Sequence, residues 1–523
     1  MVSSVRALAI EEATIADIHT AYRAGTLTVH AVTAVCLARI AAYDKNGPYI
    51  NALITVNAQA LEEAETLDTA YTATGTFSGP LHGIPVIVKD NLDAVGMPMT
   101  AGFQGWKKYY PTADAPVVAK IKAAGGIILA KASLSEFAKG GGDNINPVLP
   151  GFARNPYNTA YATGGSSGGT GAALAANFAV VGIGTDTGGS VRMPAAHNAL
   201  VGLRPTVGLV SRTGVVPLDG VRDTAGPMAR SVTDMTLLLE VIVGPDPADA
   251  ATARSAGHIP PSYLPFLKKD GLTMVRLGVL RQVFPPQVTD PRIIAHFAQT
   301  IAELKAAGAE IVDPLMVPAL ETIPRPPQTN AQFHIDLTTW LSQHPGVPSP
   351  SVKAIAASKL LHPLHQPSFD EAVDALPAEH DPATIEGRHN EARFRVAFLQ
   401  AMDSAHVDAL VFPTWAQLPA INGDRNTQIT DDPKPPPHAG PTHLGSSLTF
   451  VGSMLQWPAL SVPNGYIQGL PTGLHMLARA WDEAKIIQYA YAYEQATHYR
   501  QPPPTVPPLA LPVQAGGRTL RGL

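Results

Sequence analysis

Two glycine-rich turns, residues 164–171 and 184–190, lie close together in the chain. The stretch between them reads first as an Ala-rich helix, residues 170–178, and then as a small apolar strand, residues 179–184. So little room between elements forces the helix to pack directly on the sheet that receives the strand. The same order occurs upstream. Residues 83–88 are a short apolar run that reads as a buried strand, with Lys89 and Asp90 standing at its end. Residues 114–124 read as a helix stopped by Gly125 and Gly126, and residues 127–130 as the next strand. Helices alternating with buried strands predict an α/β fold in layers.

The remaining segments fill in around that frame. Thr14 and Asp17 form a capping box for a helix over residues 14–23 ended by Gly25, and Thr28 caps a second helix running to Tyr43. Further helices are expected over residues 57–70, 232–243 and 483–497, and strands over 409–412, 457–462 and 473–477. Residues 244–395 are rich in Pro and His and resist a periodic reading, with helical patches only at 293–306 and 351–361. Residues 501–523 form a Pro-rich tail expected to be extended. No internal repeat is visible.

Composition excludes several functions. The 523 residues are 45% hydrophobic, enough for a large core, and only 15% charged, with a net charge of −5. No basic surface is available to neutralise phosphates, so neither nucleic acid nor an anionic membrane is expected as a partner. The single Cys36 rules out an intrachain disulfide and lies in an apolar helical stretch, where it reads as core. The first residues carry Arg6, Glu11 and Glu12 without a long apolar run. The longest near-apolar run, residues 171–184, falls short of the roughly 20 residues a bilayer span needs. A soluble, cytoplasmic protein is expected. The 17 histidines, His362 and His365 among them, show no ligand spacing, and neither metal nor cofactor is expected.

Three segments carry the chemistry. The first is Gly83-Ile84-Pro85-Val86-Ile87-Val88-Lys89-Asp90, a strand delivering a lysine. The second is Gly164-Gly165-Ser166-Ser167-Gly168-Gly169-Thr170-Gly171, and the third is Gly184-Thr185-Asp186-Thr187-Gly188-Gly189-Ser190-Val191-Arg192. A serine hydroxyl is a weak nucleophile until a base takes its proton, and acyl transfer needs N–H donors aimed at the developing oxyanion. The backbone of Thr187, Gly188, Gly189 and Ser190 could supply such donors as an anion-binding nest. A helix beginning near Thr170 would bring its positive end close to Ser166.

Taken together, these segments resemble the amidase signature family, which includes peptide amidases, fatty acid amide hydrolases and the glutaminase subunit of the tRNA-dependent amidotransferase. The resemblance implies that Ser190 is the nucleophile, Ser166 the proton relay held by a cis peptide bond, and Lys89 the base. It runs nearly the full length, through Val201-Gly202-Leu203-Arg204-Pro205-Thr206, Asp223-Thr224-Ala225-Gly226-Pro227-Met228 and Pro458-Ala459-Leu460-Ser461-Val462-Pro463, and is weakest over 244–395. Ala132 stands where a threonine is common and Arg204 where a lysine is common. The implied architecture is a single α/β/α sandwich over residues 1–523, a mixed sheet covered by helices, with a signature core at 60–240 and a substrate-shaping region at 244–395. The implied reaction is hydrolysis of a carboxylic amide through an acyl-enzyme, with esters or carbamates as further substrates. The alternative within the family is the glutaminase subunit, which needs partner subunits. A homodimer is also compatible with the family.

The base carries a demanding requirement. A free lysine has a pKa near ~10.4 and is protonated at neutral pH, so Lys89 must be desolvated to act. Ser167, Asp186 and Arg192 are expected to support the site, the last two by bracing the oxyanion turn rather than as an ordinary ion pair. Ala138, Gly140 and Gly141 are expected to line the substrate pocket. Rival readings are weaker. Gly164–Gly168 also satisfies Gly-x-Ser-x-Gly, but a loop rather than a strand precedes it. No Walker lysine follows the glycines, and no third glycine completes a dinucleotide fingerprint.

Overall fold

The computed structural model describes residues 10–139, 147–421 and 448–509. Eleven strands among these residues form one mixed sheet. They are β1 (Leu53–Val56), β2 (Pro85–Lys89), β3 (Ile127–Ala132), β4 (Val181–Asp186), β5 (Val201–Arg204), β6 (Thr224–Ala229), β7 (Arg276–Val279), β8 (Glu310–Val312), β9 (Ala409–Pro413), β10 (Ala459–Ile467) and β11 (Leu470–Leu477). Their order is β1-β3-β2-β4-β6-β5-β10-β11-β9-β7-β8. β2 runs parallel to β3 and β4, and β7 parallel to β8 and β9; the other pairs are antiparallel. Every residue of β2, β3, β4, β5, β6, β9 and β11 is buried. Side chains alternate between the two faces of a strand, so complete burial means that both faces are covered. This is the mixed sheet flanked by helices that the sequence led us to expect.

The local signals act as the chemistry requires. The Thr14–Asp17 capping box is formed at the head of the helix Ile15–Arg23, and Thr28 accepts from Ala31 N–H to start Val29–Tyr43. The helix expected over 57–70 is Ala60–Thr74, ended by Gly75 in the left-handed region (φ +67°), where glycine pays no Cβ penalty. Cys36 is buried in the core. Residues 501–509 run without helix or strand across the second helix, where Arg39 donates to the carbonyls of Val506 and Pro507 at 3.0 and 3.2 Å. The rest of the Pro-rich tail lies outside the described residues.

Five strands, β1, β5, β6, β7 and β8, were not legible in sequence. β6 reads Thr-Ala-Gly-Pro-Met-Ala, a pattern with turn residues in its middle. Gly226 is required there because a Cβ would sit 2.2 Å from the carbonyl oxygen of Leu203. Residues 244–395 form regular elements over much of their length. They hold β7, β8 and the helices Pro291–Ala306, Asn330–Gln343, Val352–Ser358, Gln366–Val373 and Pro382–Ser404. The middle three helices share an apolar cluster with the segments after β2 and β3: Phe333, Trp340, Ile355 and Phe369 pack with Phe103 and Trp106, which follow β2, and with Phe137, which follows β3. The rings of Trp106 and Trp340 stack with centroids 5.6 Å apart.

Candidate active site

The site forms where β2 and β4 end side by side. Parallel pairing sets Ile87 beside Gly182 and Val88 beside Ile183, which carries Lys89 and Thr185 to the same edge. Lys89 is fully buried, and its Nζ stands 2.8 Å from Ser166 Oγ, 2.7 Å from Thr185 Oγ1 and 3.4 Å from the Thr185 carbonyl. Burial pulls its pKa down to about 7, against the opposing pull of Asp186 and Asp223. Thr185 Oγ1 also accepts from Asn91 Nδ2 at 3.1 Å. A neutral amine has two N–H donors and one lone pair. The protonated amine donates to Ser166 Oγ; in the neutral form, with both donors directed at Thr185, the lone pair would be left for the Ser166 hydroxyl.

The Ser166 segment is held from several sides. The Gly165–Ser166 peptide is cis. The Ser166 carbonyl accepts from Ser135 N–H at 3.2 Å, and Ser167 N–H donates to the Ser190 carbonyl at 3.2 Å. Ser167 Oγ donates to the Thr185 carbonyl (3.1 Å) and accepts from Thr185 N–H (3.2 Å), stitching the segment to the end of β4. Gly184 leaves room for this, since a Cβ there would lie 2.7 Å from Ser167 Oγ. The helix Gly168–Ala175 starts directly after Ser167, two residues earlier than the glycines suggest.

The turn after β4 is organised by one carboxylate. Asp186 is fully buried and accepts from Gly189 N–H (3.0 Å), Val191 N–H (3.1 Å), Arg192 Nε and Nη2 (3.0 and 2.8 Å) and Arg204 Nη1 (2.9 Å). Burial would raise its pKa, but the guanidiniums of Arg192 and Arg204 hold it well below the usual carboxylate range. Arg192 then reaches on to the Thr449 carbonyl (2.6 Å) and Ser453 Oγ (2.9 Å). One expectation needs correction. The N–H of Gly189 is turned into the turn toward Asp186 and not toward the pocket, so of the four residues anticipated for the oxyanion only Thr187, Gly188 and Ser190 stay candidates. Gly189 serves differently: its φ is +129°, and a Cβ would come within 1.9 Å of Thr449 Oγ1. Thr449 Oγ1 in turn donates to the Gly188 carbonyl at 3.0 Å.

Residue by residue, Lys89 and Ser167 meet at Thr185, Lys89 also reaches Ser166, and Ser190, Asp186 and Arg192 share the adjoining turn. Ala138 is buried in the turn that presents Ser135 to Ser166, and Ala138 N–H donates to the Ser135 carbonyl at 2.8 Å. Gly140 and Gly141 lie outside the described residues. Sequence reasoning missed Asn91, Thr185 and Asp223. Asp223 is buried, accepts the Thr187 hydroxyl and the N–H groups of Leu218 (2.8 Å) and Asp219 (3.0 Å), and burial together with Asp219 pushes its pKa up to about 7. Its place at the head of Asp223-Thr224-Ala225-Gly226-Pro227-Met228 was the one available signal. Arg204, noted as standing in place of a lysine, donates to both the carbonyl and the carboxylate of Asp186.

The sequence model of the Amidase family matches residues 31–487. The chain belongs to the Amidase family. It is 35% identical to the peptide amidase of Stenotrophomonas maltophilia, with a TM-score of 0.81 and coverage of 94% of this chain and 98% of that one. A structure of an amidase family protein from Bacillus anthracis superposes with a TM-score of 0.82 at 28% identity, covering 94% and 92% of the two chains. Among curated proteins, one subunit of the Glutamyl-tRNA(Gln) amidotransferase of Symbiobacterium thermophilum is 34% identical over 514 residues, 95% of this chain and 98% of that protein. This amidase is therefore an enzyme of the amide C–N bond. No helix among its described residues is long and apolar enough to cross a membrane.

Proposed function

We propose that this amidase hydrolyses a small carboxylic amide through Ser190, Ser166 and Lys89. The observation that carries the reading is the buried amine 2.8 Å from Ser166 Oγ, with its pKa drawn down to about 7. Neutral Lys89 takes the Ser166 proton while Ser166 takes the proton of Ser190. Ser190 Oγ forms a bond to the substrate carbonyl carbon, and the carbonyl electron pair moves onto oxygen. The N–H groups of Thr187, Gly188 and Ser190 are the candidates to receive that charge. When the oxyanion collapses, the C–N bond breaks and Ser166 returns a proton to the departing amine, leaving an ester on Ser190. A water molecule then repeats the sequence against the ester and frees the acid. Esters and carbamates fit the same steps because only the leaving group differs.

Ser167, Asp186 and Arg192 are assigned to holding the two serine segments in register, and Ala138 to the wall of the pocket. Residues 244–395 are assigned to shaping the substrate site, because their helices pack on Phe137, next to the Ser135 turn. The test is labelling by a fluorophosphonate probe with the modified residue located by mass spectrometry, followed by a panel of amides. Modification of Ser190, lost in Ser190→Ala, is expected; modification elsewhere refutes the assignment. A second reading, the glutaminase component of an amidotransferase, is favoured by the curated relatives that are themselves subunits of Glutamyl-tRNA(Gln) amidotransferases. Turnover of glutamine only with partner subunits present, and of no other amide by the chain alone, would select it.

A further inference from the structure

From Val181 to Ser190 the polypeptide is buried at every residue except Gly188. Gly188, two residues before Ser190, is therefore the partly exposed point of this stretch. A methyl group on Gly188 would lie 3.5 Å from Phe450 Cδ2 and 3.6 Å from Gln328 Nε2. Phe450 supplies an apolar wall. Gln328 is exposed and brings a primary amide, with two donors and one acceptor, to the rim of the oxyanion turn.

Gln328 is not on a loose loop. Pro326 and Pro327 precede it, and both pack close to Gly387 of the helix Pro382–Ser404: a Cβ on Gly387 would lie 3.3 Å from Pro327 Cδ. Asn390 of that helix donates to the Pro324 carbonyl at 3.3 Å. Thr329 follows as the cap of the helix Asn330–Gln343, accepting from Gln332 N–H at 3.1 Å, and its hydroxyl meets that of Thr384 at 2.6 Å. Proline-fixed backbone on one side and a capped helix on the other hold the Gln328 backbone in place. Such a support removes the backbone share of the ordering cost on binding and leaves only that of the side chain.

We propose that Gln328 is a specificity-determining residue that reads a second amide group in the acyl part of the substrate, next to the scissile carbonyl. This rests on the reading of Ser190 as nucleophile. Gln328 Nε2 stands beside Gly188, two residues before Ser190, so an acyl substituent that passes over Gly188 when its carbonyl meets Ser190 comes within reach of Gln328. A primary amide pairs with a peptide unit donor to acceptor and acceptor to donor, which a hydrocarbon substituent cannot match. The substrate class is thus an N-acylated amino acid amide or peptide amide rather than a simple alkyl amide.

The experiment compares N-acetylphenylalaninamide with 3-phenylpropanamide, two primary amides that differ only in the acetamido group. In the wild-type enzyme kcat/KM favours the acetamido substrate. In Gln328→Ala that preference falls about tenfold, carried by KM more than kcat, as expected for loss of a hydrogen-bonded contact. Gln328→Asn, which keeps the amide on a shorter arm, retains part of the preference. A parallel fall for both substrates, or an unchanged preference, overturns the proposal. Fluorophosphonate labelling of the same samples separates the causes of failure. Wild-type enzyme that labels at Ser190 yet hydrolyses neither amide also overturns the role of Gln328. Absence of labelling at Ser190 overturns the nucleophile.

Discussion

The ends of β2 and β4 and the helices of residues 330–373 are built on different principles. At the strand ends, ionisable groups are buried outright: Lys89, Asp186, Arg192, Arg204 and Asp223 are held by short hydrogen bonds to backbone and to each other. In the helices Asn330–Gln343, Val352–Ser358 and Gln366–Val373 the shared cluster is aromatic and aliphatic, with Trp106 on Trp340 and Phe137 beside Phe369, while Pro382–Ser404 adds a buried Glu391–Arg222 ion pair. Charge buried at strand ends fixes atoms to fractions of an ångström, because each unsatisfied polar group would cost about 1–3 kcal/mol. Apolar packing between helices defines a shape but tolerates changes of residue. The proposed division of labour follows: the strand ends do the chemistry, and the helices choose the substrate.

That division is open to direct attack. Ser190→Ala should lower kcat by at least about a thousandfold with KM little changed, read by steady-state kinetics on any accepted amide. Lys89→Ala should cost about 10²- to 10⁴-fold in kcat, the range of a general base, with an unchanged circular dichroism spectrum. Near-wild-type kcat in either variant breaks the assignment of chemistry to the strand ends. Asp186→Ala leaves two buried guanidiniums without their carboxylate and frees the N–H groups of Gly189 and Val191. It should destabilise the protein by about 3–5 kcal/mol in urea denaturation. A shift below about 1 kcal/mol would mean that the carboxylate is not the organiser of the turn. On the helical side, Trp340→Ala should raise KM and speed amide hydrogen exchange in residues 330–373, with kcat close to wild type. A fall in kcat as deep as that of Lys89→Ala would erase the distinction between the two regions.

The smallest effect is a pH shift. Lys89 must be neutral to accept a proton, so kcat/KM should rise with pH through about 7 and level off above it. Asp223, its own pKa pushed up to about 7, stabilises the charged form of Lys89 in proportion to its ionisation and to that extent raises the lysine pKa, alongside Asp186. Asp223→Asn removes that stabilisation, so the rising limb should move to lower pH. A limb that moves upward, or stays fixed, would show that Asp223 does not face the base electrostatically.

Much of the strand-end region was legible because its demands are local. A lysine closing an apolar run, serines among glycines and an Asp and Arg flanking a turn announce themselves by residue type. The three missed partners were invisible for the opposite reason. Asn91, Thr185 and Asp223 are ordinary polar residues until β2, β4 and the 218–223 loop converge. Gly189 shows the same limit from the other side: its glycine was expected to free an N–H for the oxyanion, yet the space it leaves is taken by Thr449, 260 positions along the chain. Of the helices of 330–404 only Val352–Ser358 was legible, as the patch at 351–361; the others were hidden because proline-rich flanks mask periodicity and the apolar faces of Asn330–Gln343 and Gln366–Val373 are completed by Phe103, Trp106 and Phe137 from far upstream.

The sequence alone determined the alternation of helix and buried strand, the resemblance to amidases and the identity of the lysine and serines, since these depend on spacing and side-chain chemistry within short segments. Tertiary structure alone decided that the lysine is dry, which serine hydroxyl it faces, where the Gly189 N–H is spent and which residue stands at the open rim. Those outcomes depend on water exclusion and on distances between segments, and both come into being only when the sheet closes.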